Sequence, residues 1–138
     1  MYPQINEKFG IQGGITAEEL EDLLKTSYGV AAVFIVSPTY DGVVSDIKSL
    51  ADICHAHGVP LIVDEAHGAH FRYGEIFPVS ALDLGADVVI QSLHKTLPAF
   101  TQTALLHLKK GFIDIEKIEN YLKIFQSSRP SYLFLAGI

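Results

Sequence analysis

Pro60-Leu61-Ile62-Val63-Asp64-Glu65-Ala66-His67 runs from an apolar stretch straight into two acids, as a buried strand does where it reaches the edge of its sheet. A strand covered on both faces reads as a continuous apolar run, whereas one with a wet face alternates. Two other stretches have the same character: Val30 to Val36 upstream, and Val88-Val89-Ile90 downstream, which delivers Gln91-Ser92-Leu93-His94-Lys95. Helical patterns separate the runs. Thr16-Ala17-Glu18-Glu19 is a capping box, with Leu20, Leu23 and Leu24 on one face of the helix it opens and a stop near Gly29. A second helix is predicted from about Ser45, with Ile47, Leu50, Ala51 and Cys54 inward and Gly58 past its end. Ser80 to Leu84 reads as a short helical turn closed by Gly85, and Thr103 to Leu108 as a fourth strand. Asp114 caps a last helix with Ile115, Ile118, Leu122 and Phe125 predicted inward. The fold class is therefore α/β: a mostly parallel sheet in a three-layer αβα sandwich. Ligands of such sheets sit off the carboxyl ends of the strands.

Composition narrows the function classes. The 138 residues are 49% hydrophobic, with Lys+Arg 10 against Asp+Glu 16 and a net charge of -6. An acidic chain without a Lys/Arg run is not expected to track nucleic-acid phosphates or to bind a membrane surface through a basic patch. The lone Cys54 offers no internal disulfide, and Met1-Tyr2-Pro3-Gln4 lacks the basic-then-apolar pattern of a secretory leader, so a cytoplasmic protein is expected. The apolar finish Tyr132-Leu133-Phe134-Leu135-Ala136-Gly137-Ile138 is unlike an exposed domain end. Residues 1–138 are accordingly expected to be one partial domain, truncated at both ends.

Three loops after the strands offer chemistry: Thr39 and Tyr40, Asp64 to His67, and Ser92 to Lys95. Lys95 follows an apolar strand, and a partly desolvated rim there would favour the neutral, nucleophilic amine. One strand-to-strand crossover separates Asp64 from Lys95, so adjacent parallel strands would present them side by side. A carboxylate and a lysine so placed suit pyridoxal 5'-phosphate: the amine takes the aldehyde, and the acid keeps the ring nitrogen protonated. Ser92, three residues before Lys95, could donate to the cofactor phosphate.

Val63-Asp64-Glu65-Ala66-His67-Gly68-Ala69-His70 and Ser92-Leu93-His94-Lys95 resemble the aspartate and lysine motifs of the fold-type I pyridoxal-phosphate decarboxylases, in the bacterial ornithine/lysine/arginine branch. Ser37-Pro38-Thr39-Tyr40-Asp41-Gly42 resembles the loop before them, and Gln126-Ser127-Ser128-Arg129-Pro130-Ser131-Tyr132 the segment after. The likeness covers nearly the whole chain. It implies that Lys95 holds the cofactor as an imine, Asp64 pairs with the ring nitrogen, and Ala66 packs on the ring face. His67 would lie beside the site, and Ser92 would bind phosphate. His94 would bind the cofactor or help proton transfer; it stands where aminotransferases of this fold more often carry serine, which tilts the reaction toward loss of carbon dioxide. Ser127 and Ser128 would reach the phosphate of a neighbouring subunit. The implied activity is decarboxylation of arginine, lysine or ornithine, in a longer parent enzyme that is a homodimer or larger.

Other readings carry different requirements. Asp64-Glu65-Ala66-His67 also spells a helicase motif, but that ATPase needs G-x-x-x-x-G-K-[ST], and Gly10 to Gly14 supply no Gly-Lys pair. The pairs His67/His70 and His55/His57 lack the spacing and glutamate of a zinc helix, so no metal is expected. His55 and His57 read as an exposed helix end, His107 as a core or interface histidine, and Cys54 as packing. Another fold-type I enzyme, an aminotransferase or β-eliminating lyase, is the runner-up. A fragment that only associates with other chains is the third reading.

Overall fold

The computed structural model describes residues 4–126 and 131–138, so Ser127 and Ser128 lie outside the described residues. A short antiparallel ribbon of β1 (Ile5–Asn6) and β2 (Ile11–Gln12) precedes α1 (Ala17–Thr26). The capping box that opens α1 is present: Glu19 N–H donates to Thr16 Oγ1 at 3.2 Å, and Thr16 N–H to Glu19 Oε2 at 3.1 Å. The main sheet has the order β3 (Val33–Val36), β4 (Leu61–Asp64), β5 (Val88–Ser92), β6 (Ala104–Leu108). The first three strands are parallel, and β6 returns antiparallel along β5. Between β3 and β4 runs α2 (Ile47–Ala56), capped by Asp46, whose carboxylate accepts from Ser49 N–H at 3.2 Å.

The core lies on one face of this sheet. Ile35, Val63 and Val89 stand in register on adjacent strands and meet Leu20 and Leu24 of α1 and Leu50 and Cys54 of α2. Leu50, Cys54, Leu61, Val63 and Val89 are wholly buried. Full burial of one such large aliphatic side chain contributes about 1.5–3 kcal/mol, which makes this layer the main source of stability. The mostly parallel α/β architecture expected from the sequence is thus present.

Two local expectations are corrected. Val30 to Val36 is not covered on both sides: only Val33–Val36 is strand, and Phe34 and Val36, on the face away from α1 and α2, are 57% and 46% exposed. Ser80 to Leu84 forms the short helical turn expected, with Asp83 N–H at 3.0 Å and Leu84 N–H at 3.2 Å both donating to Ser80 O. After β5 comes α3 (Leu93–Thr96); beyond β6, Asp114 caps α4 (Ile115–Phe125) as predicted. Yet no residue of α4 is fully buried, and Phe125 is 81% exposed where it was expected inward. The apolar periodicity of α4 was sound, but this chain offers its stripe little to pack against. The final helix, α5 (Tyr132–Ala136), is likewise exposed and touches the rest mainly through Phe134 beside Phe100. Among the described residues, no helix is long and apolar enough to cross a membrane.

Candidate functional site

The β3, β4 and β5 strands end at the same edge, and the hydrogen-bond ladder runs one step past them. Ser37 N–H donates to Asp64 O at 3.0 Å, and Glu65 N–H to Ile90 O at 2.8 Å. The three loops singled out in the sequence therefore leave the sheet together. Asp64 pairs with Ile90, and Ser92 lies two residues beyond Ile90, so alternation puts Asp64 and Ser92 on the same face. That face is opposite to the core. Both side chains are half-buried.

Local bonds aim these groups. Ala66 N–H donates to Asp64 Oδ1 at 3.0 Å, turning the carboxylate across its own loop. Ala66 itself is buried at 8% exposure. Ser92 is the N-cap of α3 but makes no side-chain capping bond, so its hydroxyl is not consumed by the helix. Leu93 is buried and pins α3 to the sheet, its N–H donating to Thr103 O at 3.0 Å. The same carbonyl lies 3.0 Å from His94 Nδ1. A carbonyl can only accept, so Nδ1 carries a proton and Nε2 is the nitrogen turned to other tasks. Lys95 follows on α3 and is exposed. The desolvated rim expected around it is not formed by this chain.

The remaining candidates separate clearly. His67 is half-buried and meets Tyr40 edge-on at 5.8 Å, which ties the first loop to the second. Thr39 is occupied in closing its own loop, its hydroxyl accepting from Val43 N–H at 3.1 Å. His55 is not a loose helix-end cation: Nε2 lies 2.8 Å from the buried Asp87 carboxylate, and its ring stacks on Phe112 at 4.9 Å. His57 is exposed at the helix end, as expected. His70 packs edge-on to Phe71 and Phe77, away from any ligand cluster. Among the described residues, no group of three His, Cys, Asp or Glu side chains is placed to hold a metal ion. Cys54 is a buried packing residue, and burial pushes its thiol up to about 11. His107 is a satisfied sheet histidine: Nε2–H donates to Gln91 Oε1 at 3.0 Å. Burial, then Arg72, lowers its pKa, and Glu65 opposes them.

Sequence reasoning missed Glu65 and Gln91. Glu65 is 1% exposed and points to the core side, accepting from Ser80 Oγ, Ala81 N–H and Gln91 Nε2. Continuing the two-residue alternation of β4 one step past Asp64 would have placed it there.

A sequence profile described as "Orn/Lys/Arg decarboxylase, major domain" matches residues 1–138. The chain belongs to that family. Among curated members of the decarboxylase family, the arginine decarboxylases of Halalkalibacterium halodurans and Bacillus subtilis are each 33% identical over 138 residues. The uncharacterized protein YaaO of Bacillus subtilis is 39% identical over 137 residues. The match takes in 100% of this chain for the first two and 99% for YaaO, but only 28% of each relative, so the chain spans little more than a quarter of their length. Among solved structures, mouse CSAD in its apo form superposes with a TM-score of 0.61 at 26% identity, covering 72% of this chain and 23% of that one. A pyridoxamine-pyruvate aminotransferase from Mesorhizobium loti gives 0.56 at 19% identity, over 71% and 24%, and shows the shared fold alone.

Proposed function

We propose that this chain carries the cofactor-binding centre of a pyridoxal 5'-phosphate-dependent decarboxylase acting on arginine, lysine or ornithine, within a longer enzyme. Family membership supports the reaction class. The observation that carries the reading is the pairing of β4 with β5, which sends Asp64 and the Ser92–Lys95 segment off one sheet edge.

The donor set fits the cofactor. Lys95 supplies a primary amine for an aldehyde, and Asp64 a carboxylate for a ring N–H. Ser92 supplies a hydroxyl for a phosphate oxygen, and Ala66, with only a methyl group, lets a flat ring lie close. When bound, the cofactor supplies a sink for the electron pair left as carbon dioxide departs. This chain's residues do the rest. Asp64, held by Ala66 N–H, would keep a proton on the ring nitrogen by charge. Lys95 would hold the cofactor through its side-chain amine, and the same amine, on an exposed turn of α3, would be free to carry a proton. His94, anchored through Nδ1, offers Nε2 to order the cofactor or to move a proton. His67, held edge-on by Tyr40, would flank the ring. The exposure of Lys95 means that water must be excluded by parts of the parent enzyme beyond this chain, or by a second subunit; a homodimer or larger assembly fits that need.

The decisive assay is release of carbon dioxide from each of the three amino acids by the full-length protein with added cofactor. Stoichiometric amine and carbon dioxide are expected, with activity lost in Lys95→Ala and reduced by orders of magnitude in Asp64→Asn. Keto-acid formation without carbon dioxide would instead establish an aminotransferase.

A further inference from the structure

Glu65 has no assigned task in this chemistry, yet it is 1% exposed and has no cation within ion-pair distance among the described residues. A buried carboxylate is costly unless hydrogen bonds replace its water. Here they do. Oε2 accepts from Ser80 Oγ at 2.8 Å and from Gln91 Nε2 at 2.5 Å, and Oε1 from Ala81 N–H at 2.6 Å. A leucine would fill the space without that penalty, so the acid is doing something that packing alone does not.

Its donors show what. Ser80 and Ala81 belong to the turn that leads toward β5, and Gln91 sits near the carboxyl end of β5. The Gln91 amide is itself oriented, because its oxygen accepts from His107 Nε2–H on β6. A largely buried polar chain therefore runs from the end of β4 to the end of β5 and on to His107, which pairs with Val89 within the sheet, just behind the face that carries Asp64 and Ser92. Glu65 is the next residue to Asp64, and Gln91 the one before Ser92. Gly68 completes the fit: a Cβ there would lie 2.6 Å from Glu65 Cγ.

We propose that Glu65 is a positioning residue: its buried carboxylate clamps the end of β4 to Gln91 of β5 and so sets the spacing between Asp64 and the Ser92–Lys95 segment. It touches no cofactor atom and acts through its neighbours. The inference rests on the pyridoxal-phosphate reading for its consequence, not for the clamp itself.

The test uses the full-length protein with Glu65→Gln, Gln91→Glu and the double exchange. In Glu65→Gln an amide NH₂ faces Gln91 Nε2, donor against donor; the exchange restores a carboxylate–amide pair with the roles reversed. Two readouts are taken: hydrogen exchange of the Glu65 and Leu93 amides, and affinity for pyridoxal 5'-phosphate. Glu65→Gln is expected to speed exchange at both amides at least tenfold and to weaken cofactor affinity about tenfold, with the double exchange recovering most of both. Ser80→Ala, which removes one donor and is the milder change should Glu65→Gln not fold, is expected to move both readouts in the same direction by a smaller factor. Unchanged cofactor affinity in a folded variant with accelerated exchange would reduce Glu65 to a stability role and overturn the proposal. So would failure of the double exchange to restore either readout. A wild-type protein that binds no cofactor would sink the functional reading instead, and the exchange data would still decide whether the clamp exists.

Discussion

Gly68→Ala probes the packing behind the candidate site. The added Cβ would lie 2.6 Å from Glu65 Cγ, 3.0 Å from Phe71 Cε2 and 3.1 Å from Phe71 Cδ2. Glu65 cannot swing aside freely, since three donors hold its carboxylate, and Phe71 is 92% buried by its 8% exposure. Gly68 is also fixed on both sides, its N–H donating to Glu65 O at 2.9 Å and its carbonyl accepting from Phe71 N–H at 3.0 Å. Overpacking of this kind costs about 1–3 kcal/mol. Replacing glycine stiffens the unfolded chain and returns about 0.4–1 kcal/mol where the backbone tolerates a side chain. The net expectation is a loss of about 1–2 kcal/mol, or about 3–8 °C in Tm for a domain of this size. Urea and thermal melts followed by circular dichroism, with an unchanged m-value, are the assay. A variant as stable as wild type, or more stable, would refute the claim that Glu65 and Phe71 are held rigidly around this position.

Two further expectations follow from titratable groups. The Cys54 thiol, pushed up to about 11 mainly by burial and then by Asp87, stays protonated in the folded chain at neutral pH; it should resist iodoacetamide until denaturant is added. Rapid labelling of the native protein would contradict its placement. His107 has its pKa lowered, burial first, so the unfolded chain takes up its proton more readily than the folded one. The stability it contributes is present above its unfolded pKa of about 6.5 and is lost as pH falls through the folded value. Melts at several pH values should therefore show wild type losing more stability on acidification than His107→Gln; parallel curves would refute this.

How much of this was legible depends on the range of each interaction. The cap at Thr16 is a local signal, written in four consecutive residues, and it was read correctly. The apposition of Asp64 and the Lys95 segment was also legible, because two buried apolar runs separated by the length of one crossover connection pair in parallel. The partner of His55 was not, since Asp87 lies across the fold and nothing near His55 in sequence announces it. Glu65 looked like a second acid of one motif; only strand alternation shows that it and Asp64 face opposite ways. The exposure of Phe34, Phe125 and Lys95 has a different origin. Local pattern marks each as inward or desolvated, but burial depends on which elements pack against it, and the described residues place little over these three.

The central claim is that Lys95 is the amine that meets the cofactor, next to Asp64. Incubation with pyridoxal 5'-phosphate, reduction with borohydride and mass mapping of the peptides tests it most directly. The expected result is one pyridoxyl group on Lys95, absent in Lys95→Arg and sharply reduced in Asp64→Asn. Label spread over Lys48, Lys109, Lys110 and Lys117 with no preference for Lys95 would contradict it.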